Sequence, residues 1–177
     1  MDCNPELIAA AQNNTAKLGF SDRFALHTGE LADTRFLENL RMEASPVQLV
    51  MANPPWRLVG SGRLPATEAR RKALFGDKGT FPLFASAASS LLEEDGRFVC
   101  IISPDRLQDM LAALDGAGLT PYLLQYIHKQ KTSPATFVLI EARKGAHAKP
   151  SVAEPIALYG PECFFTLESL AFCPFLR

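Results

Sequence analysis

Four consecutive residues, Asn53-Pro54-Pro55-Trp56, hold the groups in this 177-residue chain best suited to chemistry. They follow a short, mostly apolar run, Val47-Gln48-Leu49-Val50-Met51-Ala52, whose Val47 and Val50 predict a buried strand; the two prolines then forbid further ladder pairing. An asparagine, a rigid diproline and an indole are thereby held at a strand's carboxyl end, the edge where open α/β sheets bind ligands. The Asn53 side-chain oxygen and the Pro54 carbonyl can each accept one hydrogen from a planar amino group, and Trp56 can stack on the ring or amide bearing it. Such a nitrogen is a poor nucleophile because its lone pair is delocalised. Two acceptors aimed at both N–H bonds push it toward tetrahedral geometry, so that the lone pair can meet an incoming methyl group in line. This is catalysis by positioning and fixed dipoles, and it needs no titrating side chain. The competing reading is an Asx-turn followed by Pro-Pro, with Trp56 anchoring a loop.

Other catalytic schemes find little support. His27, His128 and His147 are far apart in sequence, and none stands beside a Ser or Cys nucleophile motif. Cys3, Cys100, Cys163 and Cys173 form no C-x-x-C pair and have no companion histidine spacing, so they read as reduced thiols of a cytoplasmic protein, with no metal site. No signal peptide and no apolar run of membrane-spanning length is expected. With 47% hydrophobic and 21% charged residues, the chain has enough apolar content for one globular core.

The net charge of −1 hides an uneven distribution. Residues 57–78 carry Arg57, Arg63, Arg70, Arg71, Lys72 and Lys78 against Glu68 and Asp77, and His128-Lys129 with Lys131 forms a second cluster at the end of another strand. Both would line the rim that bears Asn53. One reading is a phosphate-contacting lip around a target pocket. The other is a solvated helix face with ordinary pairing, such as Glu68 with Lys72.

The elements that must position these groups alternate as in a doubly wound sheet. Asn4 as N-cap and Pro5 at the first helical position open a helix to about Leu18, closed by Gly19, with Leu7, Ile8, Ala11 and Leu18 on the face toward the sheet. Residues 23–27 read as a short strand and 35–42 as a helix. After the motif strand come a long polar loop, a helix over 81–93 and a turn at Gly96. Phe98-Val99-Cys100-Ile101-Ile102 is a buried strand, and Ser103-Pro104 starts a helix to about Leu114. Residues 119–127 and 135–142 read as two last strands joined by a loop.

With these motifs in place, the chain resembles the class I S-adenosylmethionine-dependent methyltransferases that modify exocyclic amino groups through an Asn-Pro-Pro-aromatic motif. More narrowly, it resembles the bacterial tRNA(Val) adenine-N6-methyltransferase family. The narrower likeness rests on Gly60-Ser61-Gly62-Arg63, Glu68-Ala69-Arg70-Arg71-Lys72-Ala73, Leu91-Leu92-Glu93-Glu94-Asp95-Gly96-Arg97, Ile102-Ser103-Pro104-Asp105-Arg106-Leu107 and Pro155-Ile156-Ala157-Leu158-Tyr159. The resemblance implies a Rossmann-like α/β sheet with helices on both faces and an antiparallel strand pair at the edge. It implies S-adenosyl-L-methionine as cofactor, with Asp2 on the ribose hydroxyls, Glu30 near the adenine amine, and Asn53 beside the transferred group. Asn53, Pro54, Pro55 and Trp56 become the catalytic set. A tRNA, or another structured RNA with an exposed adenine, becomes the partner, held by Arg57, Arg63, Arg71, Lys72, Lys78, His128 and Lys129.

The first strand, Gly-rich turn and first helix of this class have no counterpart, since Met1-Asp2-Cys3-Asn4-Pro5-Glu6 corresponds to the end of the second strand. The expectation is a single methyltransferase domain over 1–177, truncated at its amino terminus, with weak cofactor binding on its own. The same motif serves enzymes that methylate protein glutamine amides or rRNA guanine N2, and a non-catalytic RNA-binding remnant is the reading from another class.

Overall fold

The computed structural model describes residues 1–44, 46–58, 65–145, 149–162 and 164–173. Arg63, His147 and Cys163 lie outside the described residues, so the expectations placed on them are not addressed. The chain divides into two compact units, Met1–Ser45 and Pro46–Arg177.

In the first unit, helix α1 (Pro5–Lys17) starts as expected: Asn4 is the N-cap, its side chain accepts from the Glu6 N–H, and Pro5 needs no partner for its nitrogen. It stops before Gly19, which takes φ +72°, the left-handed conformation that a Cβ disfavours. The expected buried face does not form. Helix α1 buries no residue, and Leu7 and Leu18 are exposed, because the polar run 12–15 interrupts their stripe. Residues 23–27 do not form a strand either. Arg23 closes a 3-10 turn (Ser21–Arg23), and pairing is reduced to one parallel bridge, Asp2↔Thr28. Helix α2 (Thr34–Ala44) is begun by Asp33, whose Oδ1 accepts from the Arg35 and Phe36 N–H groups.

The second unit is built on a six-stranded sheet in the order β1-β4-β6-β5-β7, with β8 also pairing β5. Strand β1 (Val47–Ala52) runs parallel to β4 (Leu92–Ile102), and β4 is antiparallel to β6 (Ala135–Lys144). Strand β5 (Leu119–Gln130) is antiparallel to β6, which realises the expected pair on the side of the sheet away from β1. Two short strands not anticipated from sequence, β7 (Ser151–Val152) and β8 (Ile156–Tyr159), extend that side by pairing parallel to β5. Register jumps from Val47↔Leu92 to Leu49↔Arg97, so the acidic segment 93–96 loops out, with Asp95 at φ +62°.

Helices α4 (Thr80–Leu91) and α5 (Leu107–Gly116) pack on one face of this sheet. Phe81, Ala85 and Ala88 of α4 and Met110, Ala113 and Leu114 of α5 meet Phe98, Cys100, Ile102, Val138, Ile140 and Ala142 in one core. Strand β1 is therefore half-covered rather than buried. Val50 and Ala52 join the core, whereas Leu49 and Met51 face the other way and are 40% and 72% exposed. The alternation follows from the cover that α4 and α5 give to one face of the sheet; β4 is the one paired neighbour of β1 among the described residues.

The segment read as a long polar loop carries structure. Strand β2 (Arg57–Leu58) pairs parallel with β3 (Phe75–Gly76), and helix α3 (Glu68–Leu74) lies between them in sequence, capped by the Thr67 hydroxyl on the Arg70 N–H. No described helix is long and apolar enough to cross a membrane.

Candidate active site

Asn53 leaves the carboxyl end of β1, beside the end of β4, with Ala52 in register with Cys100. It is exposed, and no described residue hydrogen-bonds its side-chain amide. Pro54 is fully buried directly behind it, which fixes where the exposed amide starts. A depression of about 290 Å³ adjoins Asn53, with apolar walls from Met51, Val99, Ile101 and Leu139.

The rest of the motif is pinned from several directions. Gly76 lies so close beneath Pro55 that an added Cβ would stand 2.5 Å from the Pro55 carbonyl oxygen. Trp56 is half-buried against the core, and its ring meets Phe137 edge-on at 6.2 Å and 73°. The Arg57 guanidinium carbon sits 5.3 Å from the centroid of the Trp56 ring, a cation–π arrangement that occupies one approach to the indole. The Trp56 carbonyl oxygen accepts from Arg106 Nη1 at 2.8 Å.

Sequence reasoning did not single out Arg106 as a site residue. Its signal was an arginine in the Ser103-Pro104-Asp105-Arg106 turn directly after the most apolar strand, with Asp109 three residues on. Arginine is taken as a surface residue by default, yet this one is 4% exposed.

The cationic residues are placed as follows. Arg57, Arg71, Lys72, Lys78 and Lys129 are exposed. Arg71 pairs loosely with Glu68 at 3.8 Å, an i,i+3 contact in place of the expected Glu68–Lys72 pair. The strand directions put the end of β5 on the same edge as the ends of β1 and β4, so His128 and Lys129 share Asn53's rim as expected. His128 is committed locally: its ring Nδ1 lies 2.7 Å from the Ser133 carbonyl oxygen and closes the β5–β6 reversal.

In the first unit, the bridge at Thr28 brings Asp2 within two residues of Glu30 in register. The Asp2 Oδ1 accepts from the Asn4 N–H at 2.8 Å, and Glu30 is exposed. Cys100 is buried at the centre of the core, and burial pushes its thiol pKa up to about 12. It is a structural thiol and not a nucleophile. Among the described residues, no group of three or more His, Cys, Asp or Glu side chains could hold a metal.

The fold is shared with solved structures of methyltransferases. A predicted O-methyltransferase from Agrobacterium tumefaciens aligns over 98% of this chain and 73% of its own, with a TM-score of 0.69 and 20% identity. The type I restriction enzyme EcoKI M protein aligns over 98% of this chain and 38% of its own, with a TM-score of 0.56 and 17% identity. The chain thus spans well under half of the latter's length. No family model matches, and no curated protein matches.

Proposed function

We propose that this chain belongs to an S-adenosyl-L-methionine-dependent methyltransferase acting on an exocyclic amino group, adenine N6 of a tRNA anticodon loop being the substrate. The observation that carries this reading is the exposed, unengaged Asn53 amide held at the end of β1 by a buried Pro54. An amine presents a hydrogen that the exposed Asn53 Oδ1 can accept; the second acceptor expected from sequence, the Pro54 carbonyl, belongs to a fully buried residue and reaches the amine only if the segment turns outward.

The residues present fit the adenosyl half of the cofactor. With Oδ1 engaged by the Asn4 N–H, Asp2 keeps its second oxygen for the ribose hydroxyls, and the exposed Glu30 is near in register for an adenine amine. When bound, S-adenosyl-L-methionine supplies a methyl group on a positively charged sulfur. The protein's part is to bind and orient. Asn53 draws an amine hydrogen and helps expose the nitrogen lone pair, Trp56 offers a ring for the base, and the excess proton leaves to water. Arg57, Arg71, Lys72, Lys78 and Lys129 supply charge for flanking phosphates, and an anticodon loop offers an unpaired base without the cost of opening a duplex.

The test is transfer of labelled methyl groups from the cofactor, followed by mass analysis of the modified position. Unmodified tRNA, rRNA fragments and glutamine-containing peptides are compared. N6-methyladenosine in the tRNA anticodon loop is expected. Label on guanine N2 or on a glutamine amide would keep the amine chemistry and replace the substrate. Label on a hydroxyl would overturn the role given to Asn53.

A further inference from the structure

Arg106 combines features that seldom meet by accident. It ends the 3-10 turn Pro104–Arg106 that follows β4, and its side chain runs inward to 4% exposure. Its guanidinium carbon lies 4.6 Å from the centroid of the Phe81 ring, Nε donates to Asp109 Oδ2 at 2.7 Å, and Nη1 donates to the Trp56 carbonyl oxygen at 2.8 Å. The fork is thus fixed on two sides and stacked on a third, a geometry that a lysine ammonium cannot reproduce.

The carbonyl it holds is the last of the Asn53-Pro54-Pro55-Trp56 segment. Prolines restrict φ at positions 54 and 55, and β1 fixes the segment at its start. The direction of the outgoing chain is set by where the Trp56 carbonyl is tied. Asp109 is 61% exposed, so the pair is fed from the surface while its charge-assisted bond is spent on a neutral backbone oxygen.

We infer that Arg106 is a positioning residue for the proposed amine site. By holding the Trp56 carbonyl, it sets the direction in which Trp56 presents its ring beside the Asn53 acceptor. The inference rests on the amine-methylation reading for its purpose, and on geometry alone for the placement of Trp56.

Trp56 is the single tryptophan of the chain, so its emission reports this placement directly, with or without catalysis. Arg106→Met keeps an apolar side chain over Phe81 and removes every donor. The expected result is a native-state Trp56 emission shifted to the red and more readily quenched by acrylamide, with partial return in Arg106→Lys. If Arg106→Met does not fold, Asp109→Asn at the surface loosens the fork without removing it, and a smaller change of the same sign is expected. Methyl transfer should fall on the order of 100-fold in kcat, as for a misplaced catalytic group, with KM for the cofactor little changed. Wild-type emission and quenching in the folded variant, Arg106→Met or failing that Asp109→Asn, would overturn the inference. If the wild-type protein transfers no methyl group to any amine, the proposed function fails, while the fluorescence still decides the role of Arg106.

Discussion

Gly76 and Pro55 touch so closely that a methyl group on Gly76 would stand 2.5 Å from the Pro55 carbonyl oxygen and 2.7 Å from Thr80 Oγ1. Neither neighbour is free to give way. The Pro55 carbonyl lies between the fully buried Pro54 and a half-buried Trp56 whose own carbonyl is tied to Arg106, and Thr80 Oγ1 accepts from the Asp77 N–H and donates to Asp77 Oδ1 at the start of α4. Gly76→Ala should therefore cost about 1–3 kcal/mol, the usual cost of overpacking. The measurement is the urea midpoint at constant slope. A change within about 0.5 kcal/mol would mean that the β2–β3 pair yields and does not support the motif.

Asn53→Ala tests the chemistry with the fold held constant. The side chain is exposed and unengaged among the described residues, so stability should change by less than about 0.5 kcal/mol. Loss of one well-aimed transition-state acceptor should lower kcat on the order of 100-fold or more. Thermal melts and single-turnover methylation read the two effects separately. Comparable turnover by the variant would remove Asn53 from the mechanism.

The sequence revealed those elements whose signals are local. Asn4, Pro5 and Gly19 delimit α1 through capping and backbone conformation, and the run from Phe98 to Ile102 reads as a strand, although only Phe98, Cys100 and Ile102 are buried while Val99 and Ile101 line the depression beside Asn53. Burial depended on neighbours that no local pattern encodes. Leu49 and Met51 look like core residues in β1 but lie on the face away from α4 and α5. Strands β2 and β3 are two residues each and lie within a polar stretch, too short to show a period. Of the candidate site, the Asn53 to Trp56 segment was legible because prolines end a strand abruptly. Arg106 was not, because its partner Trp56 lies fifty residues away and is contacted through a backbone atom.

Trp56 should prove to be both a packing and a binding residue. Its contacts with Phe137 and the core mean that Trp56→Ala lowers stability, by about 2 kcal/mol for a ring only partly buried. If the ring also stacks on the target base, RNA affinity should fall by a further 1–3 kcal/mol or so when measured where the variant is fully folded. Trp56→Phe keeps a ring against Phe137 and should lose less than half of each effect. A Phe variant as weak as the Ala variant in binding alone would indicate that the indole N–H is what the ligand uses.

Cys100 gives the core a pH limit. Its folded-state pKa is raised from 9.0 to about 12 by burial, so between those values the unfolded chain releases the proton and the folded one keeps it. Stability from this group is fully present below pH 9 and declines above it, at up to about 1.4 kcal/mol per pH unit until the folded pKa is reached. Lysines and tyrosines titrate in the same range, so the comparison is with Cys100→Ala: its urea midpoint should fall less between pH 8.5 and 10.5 than that of the wild type. Equal falls would show that the thiol is not sealed in. At neutral pH a thiol reagent should label the exposed Cys3 and leave Cys100 untouched in the folded protein.

The rim charges make the RNA reading separable from the amide one. Arg71, Lys72 and Lys129 are exposed, and the one ion pair they make among the described residues is long, at 3.8 Å between Arg71 and Glu68. Replacing all three by glutamine should leave stability nearly unchanged, because exposed pairs contribute little. If they meet phosphates, each removes about one counterion-releasing contact, and the slope of log affinity against log salt should shallow by nearly one for each residue lost. The loss should be similar for unrelated RNA sequences, since phosphate contacts position without reading bases. Binding isotherms for tRNA at several salt concentrations decide the matter. An unaltered slope in the triple variant would make these residues a solvated face and shift the balance toward a protein amide as substrate, for which no polyanion needs to be held.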